Sequence, residues 1–315
     1  MNKINISTPP LPLKTPVLFL IFNRLDTTKQ VFEAIRKAKP PRLYIAADGS
    51  RADHPGEDEK VRAIRDYVMD SIDWDCEVKT LFRTENLGCK LAVSSAINWF
   101  FSHVEEGIIL EDDCLPDQSF FPFCQELLER YRDDERVMMI SGTNYLFNKI
   151  EIKESYYFSR YYAIWGWASW KRAWSLYDIN MSEWPRFSSE TYLDSIYCHT
   201  KIVDFFKGMF KKAYLNQIDT WDIRWMFSCI TNYSLAICPK YNLISNIGII
   251  GSHTSRDHRF NFMPVKRIDV SKMVHPSNVM PNFTLDKICF DEITKTESIY
   301  SRFIKKIKEY GLRNI

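Results

Sequence analysis

A short apolar run that ends in three consecutive carboxylates constrains this chain more than any other feature. Residues 108–110 (Ile-Ile-Leu) predict a buried strand, because unbroken runs of such side chains are typical of parallel sheets covered on both faces. Residues 111–113 (Glu-Asp-Asp) follow at once. Clustered anions repel one another and resist desolvation, so they need a compensating partner. A divalent cation carrying a diphosphate would serve. The alternative is an exposed acidic turn before a helix capped by Asp117.

The motif belongs to a regular alternation of strands and helices. Predicted strands lie at residues 16–22, 42–47, 76–82, 108–110 and 137–141, with amphipathic helices between them. Strands separated by helices of this length indicate βαβ units, hence an α/β fold with a mostly parallel central sheet flanked by helices. After about residue 145 the alternation stops, and further helices and an aromatic segment centred on residues 165–170 follow.

Polar residues follow the predicted strands at the end where ligands bind in such sheets. These residues are Asn23-Arg24, Asp48-Gly49, residues 83–88 and residues 111–113. Because parallel strands end at the same edge, we expect these groups to converge there. The sequence therefore predicts a binding site along one sheet edge.

Four short motifs in this order resemble the nucleotide-sugar-dependent glycosyltransferases of the GT-A fold. They are Phe22-Asn23-Arg24, Asp48-Gly49-Ser50, residues 85–88 (Glu-Asn-Leu-Gly) and residues 109–113 (Ile-Leu-Glu-Asp-Asp). Locally the chain is similar to N-acetylglucosaminyltransferase I and to bacterial nucleotide-diphospho-sugar transferases. The resemblance implies a Rossmann-like GT-A sheet. It also implies a nucleotide-sugar-binding half (16–145), a helical, aromatic acceptor and catalytic half (146–260), and a C-terminal extension (261–315).

The resemblance also implies roles for donor-binding residues. Asn23 and Arg24 would lie by the base and diphosphate, and Asp48, followed by Gly49, would accept a hydrogen bond from the base. An Asx turn is the equal alternative for Asp48 and Gly49. Arg24 could equally be a surface side chain that pairs with Asp26. Gly88 and Lys90 would lie at a helix start suited to an anion, although Lys90 could equally be a solvated side chain.

The acidic triplet carries the implied metal site. Asp113 would bind Mn²⁺ or Mg²⁺, Asp112 would contact the ribose or the sugar, and Glu111 would stabilise the loop or the donor sugar. His253 is a candidate second ligand, since some members of the family supply a late histidine; an ordinary polar role is the alternative.

An inverting transfer needs a base for the acceptor hydroxyl. Asp222 is the first candidate, because flanking tryptophans could exclude water from it, and Asp219 is the second. A structural pairing of Asp222 with Arg224, and a helix-capping role for Asp219, are the alternatives. The tryptophans of residues 165–170 could stack on a sugar or simply form core.

The composition limits which partners the chain can bind and where it is located. A net charge of +2 predicts no bulk attraction to nucleic acid, and scattered cysteines without zinc spacing are typical of free thiols. No signal peptide or membrane span is evident, which predicts a cytoplasmic protein. Residues 298–315 combine basic side chains with an apolar stripe. They could lie on the inner membrane face or pack back on the domain.

These observations predict a metal-dependent hexosyl- or N-acetylhexosaminyltransferase that uses a nucleotide-sugar, with UDP-sugars favoured. Its acceptor would be a glycan or lipid-linked glycan in bacterial surface polysaccharide synthesis. A nucleotidyltransferase is the main rival, although residues 23–27 lack the glycines usual in its first loop. A non-catalytic nucleotide- or sugar-binding protein is the other.

Overall fold

The computed structural model describes residues 12–146, 150–197, 199–248 and 261–294 of the 315-residue chain. His253 and the basic segment 298–315 lie outside these residues, so their predicted roles stay predictions. The seven cysteines in the described part are free thiols. Within the same part, no helix combines the length and the apolarity needed to cross a bilayer.

The first part of the chain alternates strands and helices, as predicted. The strands β1 to β4 are Val17–Ile21, Arg42–Ala47, Glu77–Phe82 and Glu106–Glu111. The helices α1 to α3 are Leu25–Ala38, Glu57–Asp70 and Gly88–Phe101. All four strands are parallel and lie in the order β3-β2-β1-β4.

Six more strands follow, and four of them extend the same sheet. They are β5 (Cys114–Pro116), β6 (Val137–Ser141), β7 (Tyr156–Ser159), β8 (Trp167–Trp170), β9 (Leu235–Pro239) and β10 (Ile244–Asn246). The eight-stranded order is β3-β2-β1-β4-β8-β6-β9-β7, and only β8 and β7 run against the others. Strands β10 and β5 form a separate antiparallel pair. The predicted α/β class with a mostly parallel, Rossmann-like sheet is confirmed.

The remaining helices pack around this sheet. They are α4 (Phe120–Arg130), α5 (Lys171–Trp174), α6 (Trp184–Ser189), α7 (Tyr192–Tyr197), α8 (Thr200–Tyr214) and α9 (Asp222–Thr231). A 3-10 turn spans Val270–Lys272, and residues 283–294 are helical. The predicted helix after the acidic triplet thus begins at Phe120. Asp117 accepts from the Ser119 amide at 2.8 Å just before it.

The central strands are buried on both faces, which explains their unbroken apolar runs. Every residue of β1 is buried, as are residues 107–110 of β4. Burying one such Phe, Leu or Ile contributes about 1.5–3 kcal/mol. These strands therefore fix the sheet, and their carboxyl ends are held rigidly.

Most of the tryptophans of residues 165–170 are core. Trp167 stacks on Trp221 with ring centroids 5.7 Å apart and also meets Trp225. Trp170 is buried, and its indole N–H donates to the Leu128 carbonyl at 3.1 Å. Trp165 alone of the three stays half-buried. This packing attaches the start of α9 to the sheet.

Candidate functional site

Polar side chains meet at the carboxyl ends of neighbouring parallel strands. Strand β1 lies between β2 and β4, so the residues after it are within reach of both. Arg24, which follows β1, immediately precedes α1. Its side chain extends to Asp112 and Asp113, the residues after β4. We call residues 111–113 together with Arg24 the acidic edge.

Arg24 joins the end of β1 to the acidic triplet. Its Nη1 donates to Asp113 Oδ2 at 2.8 Å, and its Nη2 donates to Asp112 Oδ1. Both carboxylates are buried. Burial lowers the pKa of Arg24, but the charges of the two carboxylates raise it more, so the group stays a guanidinium. The structure thus brings these three predicted site residues together.

The acidic edge still carries more negative than positive charge. Glu111 Oε1 and Asp112 Oδ2 are buried and have no hydrogen-bond partner. Burial, with repulsion from Asp113, Asp112 and Asp222, raises the pKa of Glu111 to about 8. Burial also raises the pKa of Asp112 to about 6, although the positive charge of Arg24 lowers it. A further positive charge at this edge would relieve both effects.

The segment after β10 packs against Asp113. The Ile247 amide donates to the Asp113 carbonyl at 2.8 Å. A Cβ at Gly248 would lie 2.6 Å from Asp113 Oδ2 and 2.9 Å from Arg24 Nη1. A side chain at Gly248 would therefore displace the ion pair. Gly248 is the last described residue before the gap 249–260, which contains His253.

The first residue of α9 lies near the acidic edge. Asp222 is among the charges that raise the pKa of Glu111, and its Oδ1 accepts a hydrogen bond from Thr220 Oγ1. Arg224 does not pair with it. The buried Arg224 guanidinium donates instead to four other oxygens: Ile179 O, Ala213 O, Thr220 O and Asn216 Oδ1. The alternative Asp222–Arg224 pairing is therefore not formed.

Asp219 binds the start of α3. Its Oδ2 accepts from the Cys89 amide at 2.9 Å and its Oδ1 from the Lys90 amide at 3.2 Å. Gly88 has a positive φ of 75°, and a Cβ there would lie 2.8 Å from Asp219 Oδ2.

 This positive φ suits glycine, and the absence of a side chain lets the carboxylate approach the helix amides. The Lys90 ammonium donates to Asn216 Oδ1 at 2.8 Å. A carboxylate of the chain itself thus binds the amides that were predicted to suit an anion.

Asp48 binds the same turn from the other side. Its carboxylate accepts from the Leu87 amide at 3.0 Å and from the Gly88 amide at 3.2 Å. Burial raises the pKa of Asp48, although these amide hydrogen bonds oppose the change. A Cβ at Gly49 would lie 2.4 Å from the Glu85 carbonyl carbon. Asp48 and Gly49 therefore hold the turn before α3, and contact with a base stays a prediction for Asp48.

A buried glutamate that the sequence did not reveal holds Asn23. Asn23 Nδ2 donates to Glu57 Oε1 at 2.7 Å, and the Arg51 amide donates to Glu57 Oε2 at 2.8 Å. Side-chain hydrogen bonds from Arg51 lower the pKa of Glu57 to about 2. In sequence, Glu57 is only an acidic residue in a helix first turn, where exposure is usual. Nothing local distinguishes it from Asp58.

Arg65 is a second residue that the sequence did not reveal. Its Nη2 donates to the Asp48 carbonyl at 2.9 Å and to the Arg83 carbonyl at 2.7 Å. One guanidinium on α2 therefore holds the ends of β2 and β3 together beside the turn that contains Asp48.

The acidic edge suits a metal ion only in part. Among the described residues, no group of three or more His, Cys, Asp or Glu side chains has the arrangement of a complete metal site. Two buried, unpartnered carboxylate oxygens are nevertheless present, on Glu111 and Asp112. Asp113 Oδ2 accepts from Arg24, and its Oδ1 accepts from the Cys114 thiol at 3.4 Å. Mg²⁺ often binds through one or two carboxylates plus substrate phosphates, and this donor set fits that pattern.

Three solved structures resemble the chain distantly. HddC from Yersinia pseudotuberculosis matches with a TM-score of 0.28 and 14% identity, over 39% of this chain and 57% of that one. The match thus spans less than two thirds of the length of HddC. Mouse xyloside xylosyltransferase 1 in its apo form matches with a TM-score of 0.34 and 9% identity, over 69% and 81% of the two chains. Apo UDP-glucose pyrophosphorylase matches with a TM-score of 0.35 and 7% identity, over 73% and 93%.

No protein-family model matches the chain, and no curated protein matches it significantly. Structural likenesses as distant as these three bear on neither activity nor substrate. What the chain can do chemically therefore rests on the side chains described above.

Proposed function

We propose that the chain is a metal-dependent glycosyltransferase that moves a sugar from a nucleotide-sugar, with UDP-sugars favoured, to a glycan hydroxyl. One observation carries the proposal. Three adjacent carboxylates at the end of a central strand have one guanidinium between them, and two of their buried oxygens have no partner. A divalent cation bound with a diphosphate would neutralise this edge.

In this proposal the edge binds the donor. Asp113 and Asp112 would hold Mn²⁺ or Mg²⁺ together with the diphosphate oxygens. When bound, the ion supplies Lewis-acid stabilisation of the departing diphosphate. Arg24 stays a guanidinium at the same place and would add a second positive charge near that leaving group. Asn23 and Asp48 would contact the nucleoside, and both are held rigidly, by Glu57 and by the amides before α3 respectively.

Asp222 is the proposed base. The acceptor hydroxyl oxygen would attack the anomeric carbon while the bond from that carbon to the diphosphate oxygen breaks. The hydroxyl proton would pass to the Asp222 carboxylate, which lies near the acidic edge at the start of α9. Attack opposite the leaving group inverts the anomeric configuration. Asp219 is occupied by two helix amides, which makes it the weaker candidate.

The proposed setting is bacterial surface polysaccharide synthesis, with a glycan or lipid-linked glycan as acceptor. This setting rests on the sequence resemblance. The expectation of a cytoplasmic protein rests on composition, and residues 298–315 could contact the inner membrane face or pack back on the domain.

Hydrolysis of nucleotide-sugars, measured with Mn²⁺ and with EDTA, tests the activity. A panel of UDP-, GDP-, CMP- and dTDP-sugars should give one preferred donor that releases its nucleoside diphosphate only with the metal. Formation of a nucleotide-sugar from a nucleoside triphosphate and a sugar 1-phosphate would instead indicate a nucleotidyltransferase. Nucleotide binding without turnover on any donor would indicate a non-catalytic binding protein.

A further inference from the structure

The polar edge does not end at β4. Strand β8 pairs with β4 antiparallel, with Ile109 opposite Trp167. Strand β8 begins at Trp167, and Gly166 just before it has a positive φ of 60°. Two contacts fix the position of Gly166: the Gly142 amide donates to the Gly166 carbonyl at 2.7 Å, and a Cβ on Gly166 would lie 3.2 Å from Leu110 Cδ2. Trp165 therefore lies beside the acidic edge.

Trp165 has an aromatic neighbour at the same edge. The Tyr145 ring meets the Trp165 ring edge-to-face, with centroids 5.8 Å apart. The Trp165 carbonyl accepts from Thr143 Oγ1 at 2.8 Å, which fixes the backbone between the two rings. Both side chains are half-buried, in contrast to the buried Trp167 and Trp170. We call Tyr145 and Trp165 the aromatic pair.

A charged group of the proposed reaction lies near this pair. Burial raises the pKa of Tyr145, and the negative charge of Asp222 adds to this increase. The two side chains therefore lie near each other. Trp167, two residues after Trp165, stacks on Trp221, which immediately precedes Asp222. Apolar ring surface and carboxylate oxygens thus lie together.

We propose that the aromatic pair is the binding platform for a pyranose ring of the acceptor, which stacks its C–H face on Trp165. This inference rests on the proposed function and deepens it by naming the acceptor class as a pyranoside. A pyranose presents C–H groups on a face and hydroxyls at its rim. Aromatic walls with a few well-placed polar groups are what such a ligand needs. Its rim hydroxyls would reach the carboxylates of Glu111 and Asp222.

Saturation-transfer NMR on the full chain tests the platform. The probes are methyl β-glycosides of glucose, galactose and N-acetylglucosamine, with UDP and with Mg²⁺, because Mn²⁺ would broaden the signals. We expect saturation of C–H protons on one ring face. Trp165→Ala should weaken glycoside binding by about tenfold or more, and Trp165→Phe should lose less because a stacking ring remains. Trp99→Ala removes another half-buried tryptophan, on α3 against Tyr44, and should leave glycoside binding unchanged.

The outcomes separate the platform from the activity. Wild-type glycoside affinity in Trp165→Ala overturns the inference, and so does an absence of saturation on every glycoside while UDP still receives it. In the latter case the proposed function still stands. Saturation of a glycoside that depends on Trp165, in a protein that does not bind UDP, supports the platform and counts against the proposed function.

Discussion

At the scale of single residues, the three carboxylates of the acidic edge have different surroundings, although they are adjacent and chemically alike in the sequence. Asp113 lies between Arg24, the Cys114 thiol and the backbone at Gly248. Asp112 shares Arg24 but keeps one buried oxygen without a partner, and Glu111 keeps another. A bound cation would therefore find its least satisfied donors on Asp112 and Glu111, and would share Asp113 with Arg24.

Replacing the proposed base should separate chemistry from donor binding. Asp222→Asn keeps the side-chain volume but cannot accept a proton, so turnover should fall by about 10²-fold or more while donor affinity stays close to that of the wild type. Steady-state kinetics and calorimetry with the preferred nucleotide-sugar measure the two quantities. Asp219→Asn is the matched comparison. A larger loss of turnover in Asp219→Asn than in Asp222→Asn would show that the wrong carboxylate was chosen.

At the scale of elements, the start of α3 is held by two carboxylates from distant parts of the chain. Asp48 follows β2 and Asp219 precedes α9, and together they accept from the amides of residues 87–90. Carboxylates at a helix N-terminus satisfy amides that lack intrahelical partners and complement the helix dipole. Because Asp219 lies three residues before Asp222, this contact also sets where the proposed base lies.

Removing the Asp219 carboxylate from the start of α3 should lower the stability of the fold. Asp219→Ala leaves two α3 amides without their partner, so the free energy of unfolding should fall by about 1 kcal/mol. Urea denaturation followed by circular dichroism measures this. Asp194→Ala, an exposed aspartate of α7, is the control and should change the free energy of unfolding less. Equal stability of Asp219→Ala and the wild type would contradict a capping role.

Elements with a local signal could be predicted from the sequence, and those that depend on distant pairing could not. The apolar runs that form β1, β2 and β4 specify buried strands by composition alone. By contrast, the sequence of β8 indicates only an aromatic segment. Its strand conformation depends on antiparallel pairing with β4 and β6. The convergence at the sheet edge followed from topology. The contacts of Asp219 and Glu57 did not, since no sequence pattern reports a partner 130 or 34 residues away.

At the scale of the whole molecule, the two predicted halves share one sheet. Strand β8 lies between β4 and β6, and β7 forms the far edge. The helix of residues 283–294 packs near that edge through Asp286, which accepts from Ser159 Oγ at 2.5 Å and from the Arg160 amide at 3.1 Å. A buried carboxylate thus attaches the last described helix to the sheet.

This attachment should respond to pH. Burial raises the pKa of Asp286 to about 6, so the folded state holds a proton that the unfolded state releases. The contribution of Asp286 to stability should therefore increase as pH falls from about 6 to about 4. Compared with Asp286→Asn, the wild type should gain about 1–3 kcal/mol in its free energy of unfolding over that range.

Denaturant titrations at several pH values measure that difference. Asp291→Asn, on the same helix and paired with Lys287 at 2.8 Å, is the control and should show a smaller pH dependence. A pH-independent difference between Asp286→Asn and the wild type would contradict the burial of a carboxylate at this contact.

The central claim is that the acidic edge binds a nucleoside diphosphate together with a divalent cation. Calorimetric titration of UDP into the full chain, with Mn²⁺ and then with EDTA, tests it most directly in the wild type, in Asp113→Asn and in the control Asp58→Asn, an exposed aspartate of α2. The wild type and Asp58→Asn should lose about tenfold or more in affinity without the metal. Asp113→Asn should bind UDP weakly in both conditions. Undiminished Mn²⁺-dependent affinity in Asp113→Asn would contradict the claim.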